Sequence, residues 1–428
     1  LDRIIHVPRR FTDYEWGGTE TVVLELSRSQ KAAGLSPEIV TSKALDHRDE
    51  QIYQGIPVRR FSHLYPCTGL STEDRHQLDR KGGNLVSFPL MHYLWKQENI
   101  RILHAHSLKR LGGVVRTVSK IRNIPYVVTL HGGFFDVPEE ESENIRRPLR
   151  GWNKFEWGKI PGAILGSHRV MQDADWVLCV GENEFKKAKD MLGHDRISYL
   201  PNGVDERKFR SGYSSAFREK FGIPTDAYVI SCISRIDYQK NQKILVEAFT
   251  ELLKLDSNTI LVLAGSVTHP VYAGEIRKWI EKWDLAGKIR WLPGLSNDSE
   301  DLINAFQAAD VMVLPSIHEP FGIVVLEAWS AGKPVIVSNT GGLKSLVTHG
   351  ENGLKFEPRS ADAKGQLLRH ILRLQGDRDL GTKLGMNGRE AVRRHYSWSQ
   401  IRAKLDKIYD HAVERQVRVS GSAGRPLF

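Results

Sequence analysis

Cysteine is scarce in this chain. The three present, Cys67, Cys179 and Cys232, stand far apart and are odd in number. That argues against a disulfide framework or a cysteine-based metal site and for a reducing compartment. No run of 18 apolar residues occurs, so no segment reads as a membrane-spanning helix. The opening "LDRIIHV" lacks the apolar core of a secretory leader, and the protein is expected in the cytoplasm. Several catalytic signatures are missing as well. Without a G-x-S-x-G elbow, acyl transfer is disfavoured. There is no Walker A loop and no full G-x-G-x-x-G, which speaks against hydride chemistry on a dinucleotide. His104 and His106 in "LHAHS" lack further ligands at metal spacing, so no metal ion is expected.

What is present is globular: 40% hydrophobic and 26% charged residues over 428 positions, too many for one ordinary core. The net charge of +10 admits nucleic acid, an anionic membrane or a phosphorylated ligand as partner. No nucleic-acid recognition motif supports the first.

Short Val/Ile-rich runs alternate with helical stretches. "RIIHV" (3–7), "EIVTS" (38–42), "RILHAH" (101–106), "PYVVTLHG" (125–132) and "DWVLCVG" (175–181) read as strands. A second series opens with "YVISCISRI" (228–236) and runs through "TILVLAG", "VMVLPS" and "PVIVSN". Continuous apolar strands separated by helices predict parallel sheets covered on both faces. The expectation is an α/β protein of two doubly wound domains: 1–205, completed by a terminal helix 398–414, and 206–395. Residues 415–428 read as a loose tail.

Ligands of such sheets sit beyond the carboxyl ends of the strands, so the loops there matter most. "SIHEPFG" leads into a helix from about Gly322 to Ala331 and places Glu319 just before the helix N-terminus. Phe321 and Gly322 offer backbone N–H groups. Glu327, inside the helix, could accept from two adjacent hydroxyls; taken alone it reads more readily as a solvent-facing or capping side chain. Arg235 and Lys240, in "SRIDYQKN", suit a diphosphate by fork and point charge. Gly341 and Gly342 permit close backbone approach to a ligand, as do Gly17 and Gly18 in "EWGGTE". His131 closes another strand. Together these residues suit a nucleotide diphosphate carrying a polyhydroxylated group.

This constellation resembles the retaining family 4 glycosyltransferases of the GT-B fold, of the bacterial exopolysaccharide or lipid-linked glycan type. "EPFGIVVLE" carries the E-x7-E motif on Glu319 and Glu327; Arg235 and Lys240 match the Arg…Lys pair. "PNGVD" matches the interdomain linker, "WGGTE" the glycine loop and "LHG" the histidine loop. The resemblance implies a nucleotide sugar on the second domain and the acceptor on the first. Glu327 would hold the ribose hydroxyls, and Arg235 and Lys240 the departing diphosphate, with no cofactor or metal ion. Glu319, with backbone at Phe321, Gly322 and Ile323, would hold the sugar. His131 would lie near the reacting carbon, and the backbone of Gly294 and Leu295 against the base. Two positions depart from the family pattern: Ser345 stands where Glu is usual, and Ser234 replaces the Gly before Arg235.

The expected activity is transfer of a hexose from a UDP-sugar, favoured over a GDP-sugar, to a glycan or lipid-linked acceptor. The alternatives are a non-catalytic nucleotide-sugar-binding protein and a sugar-nucleotide epimerase. Segment 144–169 interleaves Arg146, Arg147, Arg150, Lys154, Lys159 and Arg169 with Trp152, Phe155 and Trp157. Residues 109–122 add five more cations and no acid. Such a composition fits peripheral contact with an anionic inner membrane face as well as a solvated face with core aromatics.

Overall fold

The computed structural model describes residues 2–13, 16–132, 135, 143, 145–296 and 299–422. Glu15, Gly133 and Asn144, and residues 423–428 of the expected tail, lie outside them. The chain divides into two compact units, Leu1–Pro201 with Ile401–Phe428, and Asn202–Gln400.

The first unit carries β1 (Arg3–Val7), β2 (Ser36–Ser42), β3 (Glu50–Tyr53), β4 (Ile56–Phe61), β5 (Cys67–Thr68), β6 (Ile100–Ala105), β7 (Tyr126–Leu130), β8 (Phe155–Glu156), β9 (Trp176–Cys179) and β10 (Ile197–Tyr199). Eight of them form one sheet in the order β10-β9-β7-β6-β1-β2-β4-β3. All neighbours are parallel except β3, which pairs antiparallel with β4 at the edge. Gln54 and Gly55, both with positive φ, make the tight turn between these two strands. Strand order reverses between β1 and β6, where ligands of doubly wound sheets collect. The sheet is dry: Ile4, Ile5, Ile102, Leu103, Val127 and Val128 are fully buried. Continuous β-branched and leucine runs are what a sheet covered on both faces selects.

The terminal helix runs Trp398–Ser422, past the 398–414 of the sequence expectation. No proline or glycine interrupts it before Gly421, and Arg415 pairs with Asp175. Tyr409 on this helix is fully buried.

The second unit holds β11 (Tyr228–Ile233), β12 (Thr259–Ala264), β13 (Ile289–Leu292), β14 (Val311–Leu314), β15 (Val335–Ser338) and β16 (Leu354–Phe356). All six are parallel, in the order β13-β12-β11-β14-β15-β16. Counted from β11 this is 3-2-1-4-5-6, the doubly wound dinucleotide-binding order, with its reversal between β11 and β14. One packing contact governs the helix that follows β14. Trp329 is buried, donates Nε1–H to the Asn352 carbonyl at 2.9 Å, and lies flat against Gly388 of the helix Arg378–Ala391. A Cβ at Gly388 would sit 2.1 Å from Trp329 Cδ1. Gly388→Ala therefore overpacks this contact. It is expected to destabilise the second unit by about 1–3 kcal/mol, read as a lower unfolding midpoint in urea; an unchanged midpoint would refute the contact.

Candidate active site

In the second unit, the loops after β11 and β14 lie side by side at the order reversal. After β11, Asp237 caps the turn Tyr238–Lys240 by accepting from Gln239 N at 3.1 Å. After β14, Ile317 N donates to the Gln239 carbonyl at 2.8 Å and joins the two loops. Across that seam Lys240 Nζ meets Glu319 Oε2 at 2.5 Å, and Ser316 Oγ donates to the same oxygen at 3.2 Å. Glu319 is 8% exposed, so the pair is held largely out of water. A charge so buried demands such a partner.

The Gly341–Gly342 turn after β15 seats this loop. Gly342 N donates to the Glu319 carbonyl at 2.8 Å, and Thr340 Oγ1 to that of Ile317 at 2.8 Å. A Cβ on Gly341 would lie 2.1 Å from the Glu319 oxygen, and one on Gly342 2.2 Å from that of Pro320. The close approach expected of these glycines is thus to the chain's own Glu319 loop. Ser345, at the departure from the family pattern, is exposed and bonds back to the Gly342 carbonyl at 3.1 Å. Ser234 Oγ is held by Gln242 at 2.9 Å.

Gly322 (φ 99°) starts the helix Ile323–Ser330, and Phe321 beside it is buried. Glu327 lies one turn past Ile323 and is half-buried. Among the described residues its carboxylate has no hydrogen-bond partner. Burial pushes its carboxyl up to about 7, opposed by the charge of Lys208. The Arg235 guanidinium likewise makes no hydrogen bond or ion pair among the described residues. Gly294 and Leu295 follow β13, two strands from the order reversal; Gly294 packs against Ser266, and Leu295 against the core.

In the first unit, Gly17 caps the helix Gly18–Ala32 in extended conformation, and that helix's first turn already holds Glu20, paired with Arg10 at 3.1 Å. His131, after β7, ends a buried hydrogen-bonded chain. Its Nε2 meets His106 Nδ1 at 2.9 Å; His106 Nε2 meets His6 Nδ1 at 2.9 Å; His6 Nε2 meets Gln30 Oε1 at 2.8 Å. An amide oxygen only accepts, so His6, His106 and His131 each donate from Nε2. The Nδ1 of His131 is left as an acceptor. Tyr409 Oη meets His104 Nδ1 at 2.6 Å, and His104 Nε2 meets Thr129 Oγ1 at 2.6 Å. Burial holds His6 and His131 near 4 and His104 and His106 well below the usual histidine range, so the rings are neutral at pH 7. His6, which pairs in register with His104, is the third histidine that the sequence alone did not bring to this group. One nitrogen of each of His6, His104 and His106 lies within 4.8 Å of the other two, but both nitrogens of each ring are engaged in hydrogen bonds, which a metal ion there would have to displace.

Two family models match the chain. Residues 16–208 match "Glycosyltransferase Family 4" and residues 214–391 match "Glycosyl transferases group 1". The chain is a glycosyltransferase of the group 1 and family 4 type. It is 31% identical to an uncharacterized glycosyltransferase of Methanocaldococcus jannaschii over 52% of this chain and 56% of that one. It is 25% identical to a D-inositol 3-phosphate glycosyltransferase of Corynebacterium glutamicum, over 94% and 93%. In fold it is similar to sucrose-phosphate synthase from Thermosynechococcus elongatus, at TM-score 0.73 and 19% identity over 98% and 100%. Anabaena HepE in complex with UDP and glucose gives 0.70 at 18% over 95% and 99%. The fold is GT-B, as the sequence implied.

In this glycosyltransferase the structure brings Lys240, Glu319, Phe321, Gly322 and Ile323 together around one seam. What the sequence could not supply is which neighbour each charge meets. Glu327 provides a direct check. Its folded pKa is raised above the usual 4.5, so its contribution to stability is full below that value and is lost as pH rises through about 7. The urea midpoint of the wild type should fall between pH 5 and 8 relative to that of Glu327→Gln. Parallel profiles would show that the carboxyl is not so perturbed.

Proposed function

We propose that this glycosyltransferase is a retaining hexosyltransferase, using a nucleoside-diphosphate sugar, UDP favoured, and a hydroxyl of a glycan or lipid-linked acceptor. The observation that carries the reading is the Lys240–Glu319 pair, with Arg235, unpaired among the described residues, after the same strand, at the order reversal of a 3-2-1-4-5-6 sheet. Arg235 and Lys240 neutralise the leaving diphosphate by fixed charge, which removes the need for a metal ion. Glu319 and the first-turn amides hold the sugar hydroxyls. Glu327 accepts from the ribose diol as its carboxylate, and the fraction that is protonated near neutrality releases its proton to solvent as the diol binds. The backbone of Gly294 and Leu295 meets the base. In the transfer, the C1–diphosphate oxygen bond breaks and the bond from C1 to the acceptor oxygen forms on the same face. The acceptor proton leaves with the diphosphate, and in the first unit His131 Nδ1 offers an acceptor for a hydroxyl hydrogen.

A thermal-shift screen across nucleotide sugars finds the donor, since ligand binding raises apparent stability. With that donor and an acceptor, free nucleoside diphosphate and a glycoside of unchanged anomeric configuration are expected. Lys240→Ala and Glu319→Ala should each lower turnover by about a hundred-fold or more while remaining folded. Full activity in both would end the assignment. An isomerised sugar nucleotide would make the protein an epimerase, and saturable binding without product a non-catalytic binder.

Peripheral membrane contact belongs to the same proposal. Trp152 is wholly exposed, and Phe155, Ile160 and Ile164 are 68%, 68% and 77% exposed, close in sequence to Arg146, Arg147 and Arg150. Apolar side chains next to cations fit the headgroup zone of an anionic bilayer. Co-sedimentation with phosphatidylglycerol vesicles at low salt should be lost in Trp152→Ser/Phe155→Ser. No sedimentation of the wild type would rule the contact out.

A further inference from the structure

The loops at the order reversal of the first sheet enclose a cavity of about 220 Å³. Arg9 comes from the loop after β1, Ser107 and Lys109 from the segment after β6, and His131 and Gly132 from the loop after β7; Asn84 and Thr129 also line it. Its polar lining is one-sided: two cations, and no carboxylate among the described residues. Arg9 is anchored from behind, its guanidinium donating to the carbonyls of Leu78 at 3.1 Å and Arg80 at 3.4 Å. Lys109 makes no hydrogen bond or ion pair among the described residues. It opens the helix Lys109–Arg122, whose first turn has no acidic residue, and its backbone is held at φ 60°. A lysine in the left-handed region is strained, and such strain collects at ligand sites. Ser107 Oγ is buried and has no partner among the described residues. Lys109 is exposed at the cavity; partial desolvation, and then the charges of Arg9, Arg110 and Arg146, opposed by Glu156, pull its ammonium below the usual lysine range.

We propose that this cavity is an anion subsite that selects an acceptor bearing a phosphate or similar oxyanion, held between Arg9, Lys109 and Ser107. A polyol of that kind would place a free hydroxyl beside His131, which lines the same cavity. Neither cation makes an ion pair among the described residues, Glu20 and Asp79 acting on Arg9 and Glu156 on Lys109 only through longer-range charge; an oxyanion in the cavity would give the Lys109 ammonium a charge-assisted hydrogen bond and Arg9 one beyond the Leu78 and Arg80 carbonyls. A neutral glycan gives neither cation such a bond, so tighter binding of the oxyanion-bearing acceptor follows. The inference rests on the reading of the first unit as the acceptor-binding half.

The test is calorimetric titration of the full chain. Its probes are D-inositol 3-phosphate, myo-inositol, vesicles containing phosphatidylinositol, and UDP. The phosphorylated probe, free or on vesicles, should bind at least about ten-fold more tightly than myo-inositol. Lys109→Met should weaken it by about ten- to hundred-fold, while UDP binding stays unchanged. Preference for the free compound or for vesicles tells a soluble acceptor from a lipid headgroup. Equal binding of myo-inositol and its phosphate, or an undiminished Lys109→Met, overturns the subsite. Failure of UDP alone would instead count against the donor assignment and leave the subsite standing.

Discussion

A parallel sheet covered by helices on both faces has a dry interior, and every polar group in either unit is arranged around that constraint. Side chains along the central strands cannot reach water, so most are apolar or hydrogen-bonded, with Tyr228 Oη and Ser231 Oγ of β11 left without a partner among the described residues. Chemistry is left to the loops at the carboxyl ends of the strands, and it gathers where strand order reverses, because there two adjacent loops turn apart and open a crevice. In the first unit that place lies between β1 and β6, and it carries Arg9, Ser107 and Lys109. In the second it lies between β11 and β14, and it carries Arg235, Lys240 and Glu319.

The two glutamates of "EPFGIVVLE" show how the same constraint yields opposite electrostatic states eight residues apart. Glu319 is buried but has Lys240 at 2.5 Å and Ser316 at 3.2 Å, so its charge is held by the fold itself. Glu327 is half-buried without a hydrogen-bond donor among the described residues, and desolvation moves it to about 7. The first is a finished interaction. The second is a desolvated carboxyl with no such partner, and its ionisation would be coupled to any donor that reached it.

Both sheets were legible because their central strands are unbroken runs such as "YVISC" and "TILVLA", which only a doubly covered sheet tolerates. The β3–β4 edge pair was not: "EQIY" and "IPVRRF" mix charge with apolar residues, as an edge half open to water permits. The E-x7-E spacing, Arg235 and Lys240 were readable as residues, but their pairing was not, since Lys240 and Glu319 are 79 positions apart. The glycines of "SNTGG" misled for a related reason. Glycine reports that backbone comes close, not whose backbone it is, and here it is the carbonyl of Glu319. The histidines were each visible inside apolar runs, yet their chain depends on register, with His6 opposite His104, and on Gln30 and Tyr409 from distant helices.

That histidine chain has a consequence for the chemistry near it. A lone buried imidazole is free to exchange tautomers, and its outward nitrogen alternates between donor and acceptor. Here His6 and His106 each donate from one nitrogen and receive on the other, and His131 donates into the chain, which runs back to an amide oxygen that cannot donate. The outward nitrogen of His131 is thereby set as an acceptor, and burial keeps a second proton off the chain near neutrality. An acceptor of fixed orientation and no charge suits a hydroxyl hydrogen and adds nothing to the positive field of Arg9 and Lys109. On the proposed reading the first unit would separate two tasks in this way, leaving attraction of an anion to the cations and orientation of a hydroxyl to a neutral ring.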